Sequence, residues 1–366
     1  MQRLNPIDAI APAFTRTHQT LFQPFKAGRT WKLCASSYLA FAGSMFFPVP
    51  LAFAALPWHA SSSRPALLAY LALATVFTLI FLAFFYLGAR MELVHFEMVV
   101  TRGKFIAPMW RRYSRTIWPW LGLKVGIGIV LTAVMAPILL TTGRRLFTGI
   151  ASMPKATPGQ PPDPALFHAF MAQMIGFYAM FFLVFFVLKL FATLLNDFVL
   201  PFYTLEQLPL LAALSRGVDV IAADPVQIIL YLLMKFALSI IGFVMQYFAN
   251  LIIFVPFGII IFIGAMIAGI TGAHKGSPAY ILLIVGGILL YILFIALTMY
   301  WSIGTFGYLL TLLEAYGIYF LGGRYPMLGD ILEPPAPPAY TFTPPPTPPS
   351  PGEDDGPSLP MDPALA

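Results

Sequence analysis

The chain has 366 residues, 59% of them apolar and only 10% charged. Soluble domains carry about 25% charged residues, so lipid must cover part of this apolar surface. The formal net charge of +6 does not point to nucleic acid. Lys and Arg collect beside apolar runs, as in cytoplasmic loops of membrane proteins, and no basic-aromatic module appears. Cys34 is the single cysteine; it excludes an intrachain disulfide and any multi-cysteine metal site.

Residues 1–32 read as an interfacial segment. Asn5 can cap a helix with Pro6 in its first turn. Ile7, Ile10, Phe14, Leu21 and Phe25 then share one helical face. Arg3, Arg16, Lys26, Arg29 and Lys32 add positive charge, which fits a helix lying on the inner membrane surface. A first span is expected over 33–56 and a second over 66–88, each long enough for the roughly 20 residues that cross a bilayer. The stretch 89–116 carries Arg90, Arg102, Lys104, Arg111, Arg112 and Arg115 against Glu92 and Glu97. This excess reads as a cytoplasmic loop and sets the N-terminus inside.

A third span is expected over 117–140 and a Pro-containing outer loop over 141–168. The fourth span is expected over 174–195. Residues 196–227 are polar enough to leave the membrane, with Leu205, Leu208, Leu211, Val218 and Ala222 on one side of a surface helix. Two apolar stretches follow, 228–271 and 280–323. Each would reach roughly 66 Å as one helix, against a hydrocarbon core of about 30 Å. Each is therefore either one long helix, broken at Pro256 or at Gly304 with Gly307, or a hairpin of two spans; six spans in all is the preferred count. From residue 333 the chain is Pro-rich and can fill no core, so 333–366 is expected to be a disordered tail, open to a proline-recognising protein partner.

The weak functional candidates are charged or polar groups in or beside apolar helices. Lys189 lies inside the fourth span, where an ionisable group is a functional hypothesis by default. Snorkelling, or pairing with Asp197, explains it more simply, and Lys124 and Lys235 are read the same way. Asn196 and Asp197 before Pro201 form a polar gate or only a helix stop. Glu314 is a buried proton carrier or marks the approach to the cytoplasmic surface. Gly122 and Gly126 have the GxxxG spacing that permits close helix packing. Arg90, His95 and Glu97 could be imagined as an acid-base cluster, but a wet loop accounts for them. The five histidines are scattered, and there is no HExxH pair, phosphate-binding loop or nucleophile elbow.

Four stretches occur together: Asn5-Pro6-Ile7-Asp8-Ala9-Ile10, Phe22-Gln23-Pro24-Phe25, Asn196-Asp197-Phe198-Val199-Leu200-Pro201, and Glu314-Ala315-Tyr316-Gly317-Ile318-Tyr319-Phe320-Leu321. Their order resembles a group of uncharacterised bacterial multispanning proteins. These are distantly similar to the membrane domain attached to some glycerophosphodiester phosphodiesterases. The resemblance implies a helical bundle of about six spans and no established activity. The chain has no soluble phosphodiesterase domain, so that activity is not carried over.

The expectation is thus an all-α polytopic transmembrane bundle of about six spans. It comprises an amphipathic segment over 1–32, a transmembrane domain over 33–332 and the tail over 333–366. It is expected in a bacterial inner membrane, with both termini cytoplasmic and the lipid bilayer as its first partner. It is expected to be a non-enzymatic scaffold or accessory protein without cofactor or metal. The alternative is a transporter whose path is lined by 228–271 and 280–323. Polar groups such as Asn250, Glu314 and Lys189 would then meet around a cavity at mid-membrane.

Overall fold

The computed structural model describes residues 3–43, 64–103, 105–151, 164–270 and 277–334. Among these, every regular element is a helix. In chain order they are α1 (Ile10–Phe22), α2 (Ala27–Gly43), α3 (Arg64–Thr101), α4 (Ile106–Arg112), α5 (Ile117–Ala151) and α6 (Pro164–Phe198). Then follow α7 (Leu200–Leu205), α8 (Leu210–Ala223), α9 (Pro225–Ile270), α10 (Pro278–Gly322) and α11 (Pro326–Leu332). Five of them, α3, α5, α6, α9 and α10, contain stretches long and apolar enough to cross a membrane. Residues 44–56 of the first expected span, 152–163 of the expected 141–168 loop and the tail from 335 onward lie outside the described residues; 141–151 and 164–168 are helical rather than loop.

The long helices are tightly packed at one end and open along the rest. The packed end combines α1, the last three turns of α3, the start of α5, the end of α6 with α7, the start of α9, the end of α10 and α11. Residues 88–100 of α3 are buried on every side. Beyond this zone the apolar side chains of α3, α5, α6, α9 and α10 stand largely uncovered, among them Leu73, Ile129, Phe182, Met245 and Leu289. Contiguous apolar surface on this scale is not tolerated in water, but lipid covers it without penalty.

Several expectations are corrected here. Residues 89–101 do not form a wet loop: α3 runs through them without a break. Nothing in Leu93, Val94, Phe96, Met98, Val99 and Val100 stops a helix, and each is fully buried or nearly so. The stretches over 225–270 and 278–322 are single helices, not hairpins, with Pro256, Gly304 and Gly307 inside them. The expected break at these residues is absent. Pro256 removes one backbone donor, and the surrounding turns carry the helix across it.

In the two surface helices small residues turn inward, and of the apolar face expected in the first segment Leu21 is buried while Ile7, Phe14 and Phe25 are not. In α1 the buried face is Ala9, Ala13, Thr17 and Leu21, while Ile7, Phe14 and Phe25 point out. In α8 the buried residues are Ala213 and Gly217, while Leu211 is 80% exposed and Val218 also points out. Small side chains let each helix approach its neighbour closely. At Gly217 an added Cβ would lie 2.7 Å from the Phe198 carbonyl oxygen. The bulky apolar residues are left on the outer side.

Candidate functional site: a charge network joining the long helices

The most distinctive group in the packed zone is a set of charged side chains drawn from helices far apart in sequence. Glu92 of α3 points toward α5 and α6. Its Oε2 accepts from Lys124 Nζ and, at 3.2 Å, from Trp120 Nε1, both on α5. Its Oε1 accepts from the Asn196 side-chain amide on α6. Lys124 and Trp120 are completely buried and Glu92 almost so. A carboxylate and an ammonium survive such burial only as a pair with further hydrogen bonds, because each alone pays several kcal/mol of desolvation.

Asp197, the next residue on α6, turns the other way. Its Oδ2 accepts from the Tyr231 hydroxyl at 2.7 Å, and Lys235 Nζ lies 2.6 and 2.8 Å from its two oxygens. Tyr231 and Lys235 are one turn apart on α9, so one helical face delivers both donors. The Tyr231 ring stacks on Tyr316 and Phe320 of α10, with centroids 5.1 and 4.4 Å away. Between those rings α10 carries Gly317, where a Cβ would stand 2.9 Å from the Tyr231 hydroxyl and 3.1 Å from Asp197 Oδ1. The missing side chain at 317 lets α10 close over the ion pair.

Glu314 is half-buried one turn before Gly317, within electrostatic reach of Asp197, Lys235, Glu92 and Lys189. Lys189, two turns before Asp197 on α6, sits with its Nζ 4.8 Å from the centre of the Phe41 ring on α2, a cation–π distance. Three carboxylates (Glu92, Asp197, Glu314) thus face three lysines (Lys124, Lys189, Lys235), and the group is electrically balanced. Helices α2, α3, α5, α6, α9 and α10 all contribute.

Lys189, Asn196, Asp197 and Glu314, the sequence-based candidates, belong to this one neighbourhood. Asn196 and Asp197 are more than a helix stop: adjacent side chains reach opposite halves of the bundle. Glu92 was assigned to a wet loop and Lys124 and Lys235 to span ends, yet these three complete the pairs. One sequence signal for Glu92 was available, since a carboxylate flanked by Met91, Leu93 and Val94 is poorly matched to an aqueous loop. Gly122 and Gly126 do not pack within the chain, since an added Cβ at either meets nothing within 4 Å.

The imagined acid-base cluster is dispersed among separate partners. Arg90 donates to Tyr86 and to the Trp110 carbonyl, and Glu97 pairs with Arg112 at 2.6 Å. His95 Nδ1 is 3.1 Å from Ser36 Oγ. That hydroxyl is also 2.7 Å from the Leu33 carbonyl oxygen of its own helix. Among the described residues no three His, Cys, Asp or Glu side chains group as metal ligands.

A second polar contact lies further along α9 and α10. Asn250 Oδ1 accepts from Gln246 at 3.1 Å and from Ser302 at 3.3 Å, and Trp301 Nε1 donates to the Ala249 carbonyl at 2.9 Å. These bonds clasp the two helices together. Asn250 therefore serves a helix-pair contact separate from the Lys189 and Glu314 neighbourhood.

No curated protein and no solved structure shows significant similarity to this chain. One family does match it, over residues 4–331, which takes in α1 through nearly all of α11: the chain belongs to a family of unknown function (DUF7544).

Proposed function

We propose that this is an integral membrane protein of about six spans that acts as a non-enzymatic scaffold or accessory protein. We place it in a bacterial inner membrane with both termini cytoplasmic. Helix α2 with the chain beyond it would be the first span and the five long apolar helices the others. The cation-rich 102–115 stretch would face the cytoplasm. The similarity suggested to the membrane domain attached to some glycerophosphodiester phosphodiesterases is in keeping with such a bundle and brings no activity with it.

The observation that carries the reading is how the intramembrane charges are used. Glu92, Asp197, Lys124 and Lys235 are bound to one another across helices, while Asn250 is occupied in the α9–α10 clasp. A transporter is expected to line a path with such groups near the bilayer midplane; here they bind helix to helix. The uncovered apolar flanks of α9 and α10 would then be free to meet lipid or another membrane protein.

The test is photo-crosslinking in native membranes, with the crosslinker placed in turn at the outward-facing Leu233, Ile240 and Leu289. A scaffold gives reproducible protein adducts from one helix face. Adducts with lipid alone from all three sites, together with substrate-dependent ion flux in proteoliposomes, would favour the transporter instead.

A further inference from the structure

Where α1 leads into α2, and the end of α3 comes alongside, the surface folds into a cleft of about 270 Å³. It is lined by Gln19, Thr20 and Gln23 from the end of α1, Arg29 and Leu33 of α2, and Arg102 just beyond α3. No acidic side chain lines it. The chain segments that build it are equally poor in acid. Residues 1–32 hold five Lys or Arg and only Asp8, and residues 102–115 hold five and no acid. Arg16 lies behind the cleft, buried, with its guanidinium donating to the Val99 and Val100 carbonyls that end α3. Arg102 is near enough for its charge to repel that of Arg16.

Two donors in the cleft wall have no partner among the described residues. Arg29 gives one Nη2 proton to the Pro24 carbonyl at 2.7 Å, but its Nε is buried without a partner, and so is the Thr20 hydroxyl. Buried donors left in this state are costly, a cost that an acceptor entering the cleft would relieve. The nearby chain also offers apolar contacts. Phe25 is 65% exposed and Phe105 73% exposed, two residues along the chain from Gln23 and from Gly103 of the cleft wall.

We propose that this cleft binds a phosphate group, presented by the headgroup of an anionic phospholipid in the leaflet where α1 lies. Arginine suits phosphate because its planar donors match the oxygens in pairs, and cations beside a membrane helix draw anionic headgroups. The cleft is small enough for a headgroup rather than a whole lipid. The lipid source rests on the membrane reading above; the phosphate chemistry rests only on the cleft.

The test uses the full chain purified in detergent and titrated with phosphatidylglycerol, with phosphatidylcholine and with inorganic phosphate alone. Binding is read by native mass spectrometry and by tryptophan fluorescence. Phosphatidylglycerol is expected to bind in preference to phosphatidylcholine. Arg102→Gly should weaken it about 5-fold, and Arg29→Gln with Arg102→Gly about 30-fold. Arg144→Gln, on the exposed far part of α5, should leave it unchanged. Arg102 has a φ of 55°, a conformation that glycine adopts without strain, so Arg102→Gly carries the test even if the double variant fails to fold. Unchanged phosphatidylglycerol binding in Arg102→Gly would overturn the proposal. Inorganic phosphate binding that these variants abolish, without preference between the lipids, would assign the cleft to free phosphate and overturn the lipid source. Fractionation separates the two readings. If the chain leaves the membrane only with detergent, failure to bind phosphatidylglycerol counts against the cleft alone. If it is recovered without detergent, the membrane reading fails, and the phosphate titration still decides the cleft.

Discussion

Lys235 of α9 places its ammonium 2.6 and 2.8 Å from the two carboxylate oxygens of Asp197 on α6. The neighbouring Asn196 reaches in the other direction, to Glu92 of α3. Two consecutive residues of α6 therefore hold α3 and α9 to it. Asp197 is buried and Lys235 nearly so, which makes the pair costly to break from one side.

Asp197→Asn should lower stability by about 3–5 kcal/mol, because it strands the Lys235 charge in a poorly solvated place. Asp197→Asn combined with Lys235→Met should recover much of that loss. Thermal unfolding of the native chain, Asp197→Asn, Lys235→Met and the double variant in one detergent measures the coupling directly. Equal and additive losses would show that the pair does not hold the helices.

Gly317→Ala should cost about 1–3 kcal/mol, since its Cβ would crowd the Tyr231 hydroxyl and Asp197. Gly126→Ala, which meets open space, should change stability by less than about 0.5 kcal/mol. The contrast is readable in the same melts. A large loss at 126 instead would point to a packing partner outside the chain.

Helices α2 and α10 touch almost backbone to backbone at Cys34 and Gly307. A Cβ on residue 307 would lie 2.5 Å from the Cys34 Cβ and 2.6 Å from its Cα and carbonyl oxygen, and Ser37 Oγ donates to the Gly307 carbonyl at 2.9 Å. Neither backbone can yield locally, so Gly307→Ala must push the helices apart. The expected result is a marked fall in melting temperature and faster labelling of the buried Cys34 thiol by a small maleimide. Labelling as slow as in the native chain would argue against the contact.

Membrane orientation has an independent check. In a Cys34→Ala background, Lys104→Cys should be protected from an impermeant thiol reagent in intact cells and react once the cells are opened. Reaction in intact cells would reverse the proposed topology.

Much of the bundle could be read from periodicity and hydropathy. Five apolar helices lie where long apolar runs were expected, and the surface helices occur before α2 and before α9. Which face of those helices turns inward could not be read. In the first segment Ile7, Phe14 and Leu21 share a face by spacing, yet Leu21 is buried with Ala9 and Ala13 while Ile7 and Phe14 point out. A hydropathy pattern cannot tell lipid from protein as the apolar neighbour, because both reward the same side chains. For the same reason the last turns of α3 read as a loop in the sequence. Arg90, Glu92, His95 and Glu97 signal water unless partners are known, and those partners lie as far away in sequence as Asn196.

Composition and run length are enough to make the chain helical and most of its surface apolar, through local backbone and solvation energetics. Which charges meet depends on how the helices pack. Glu92 with Lys124, Asp197 with Lys235 and Gly317 with Tyr231 depend on the relative rotation and close approach of helices distant in the chain. That rotation is set by where small residues let backbones come together, and no one-dimensional pattern records it.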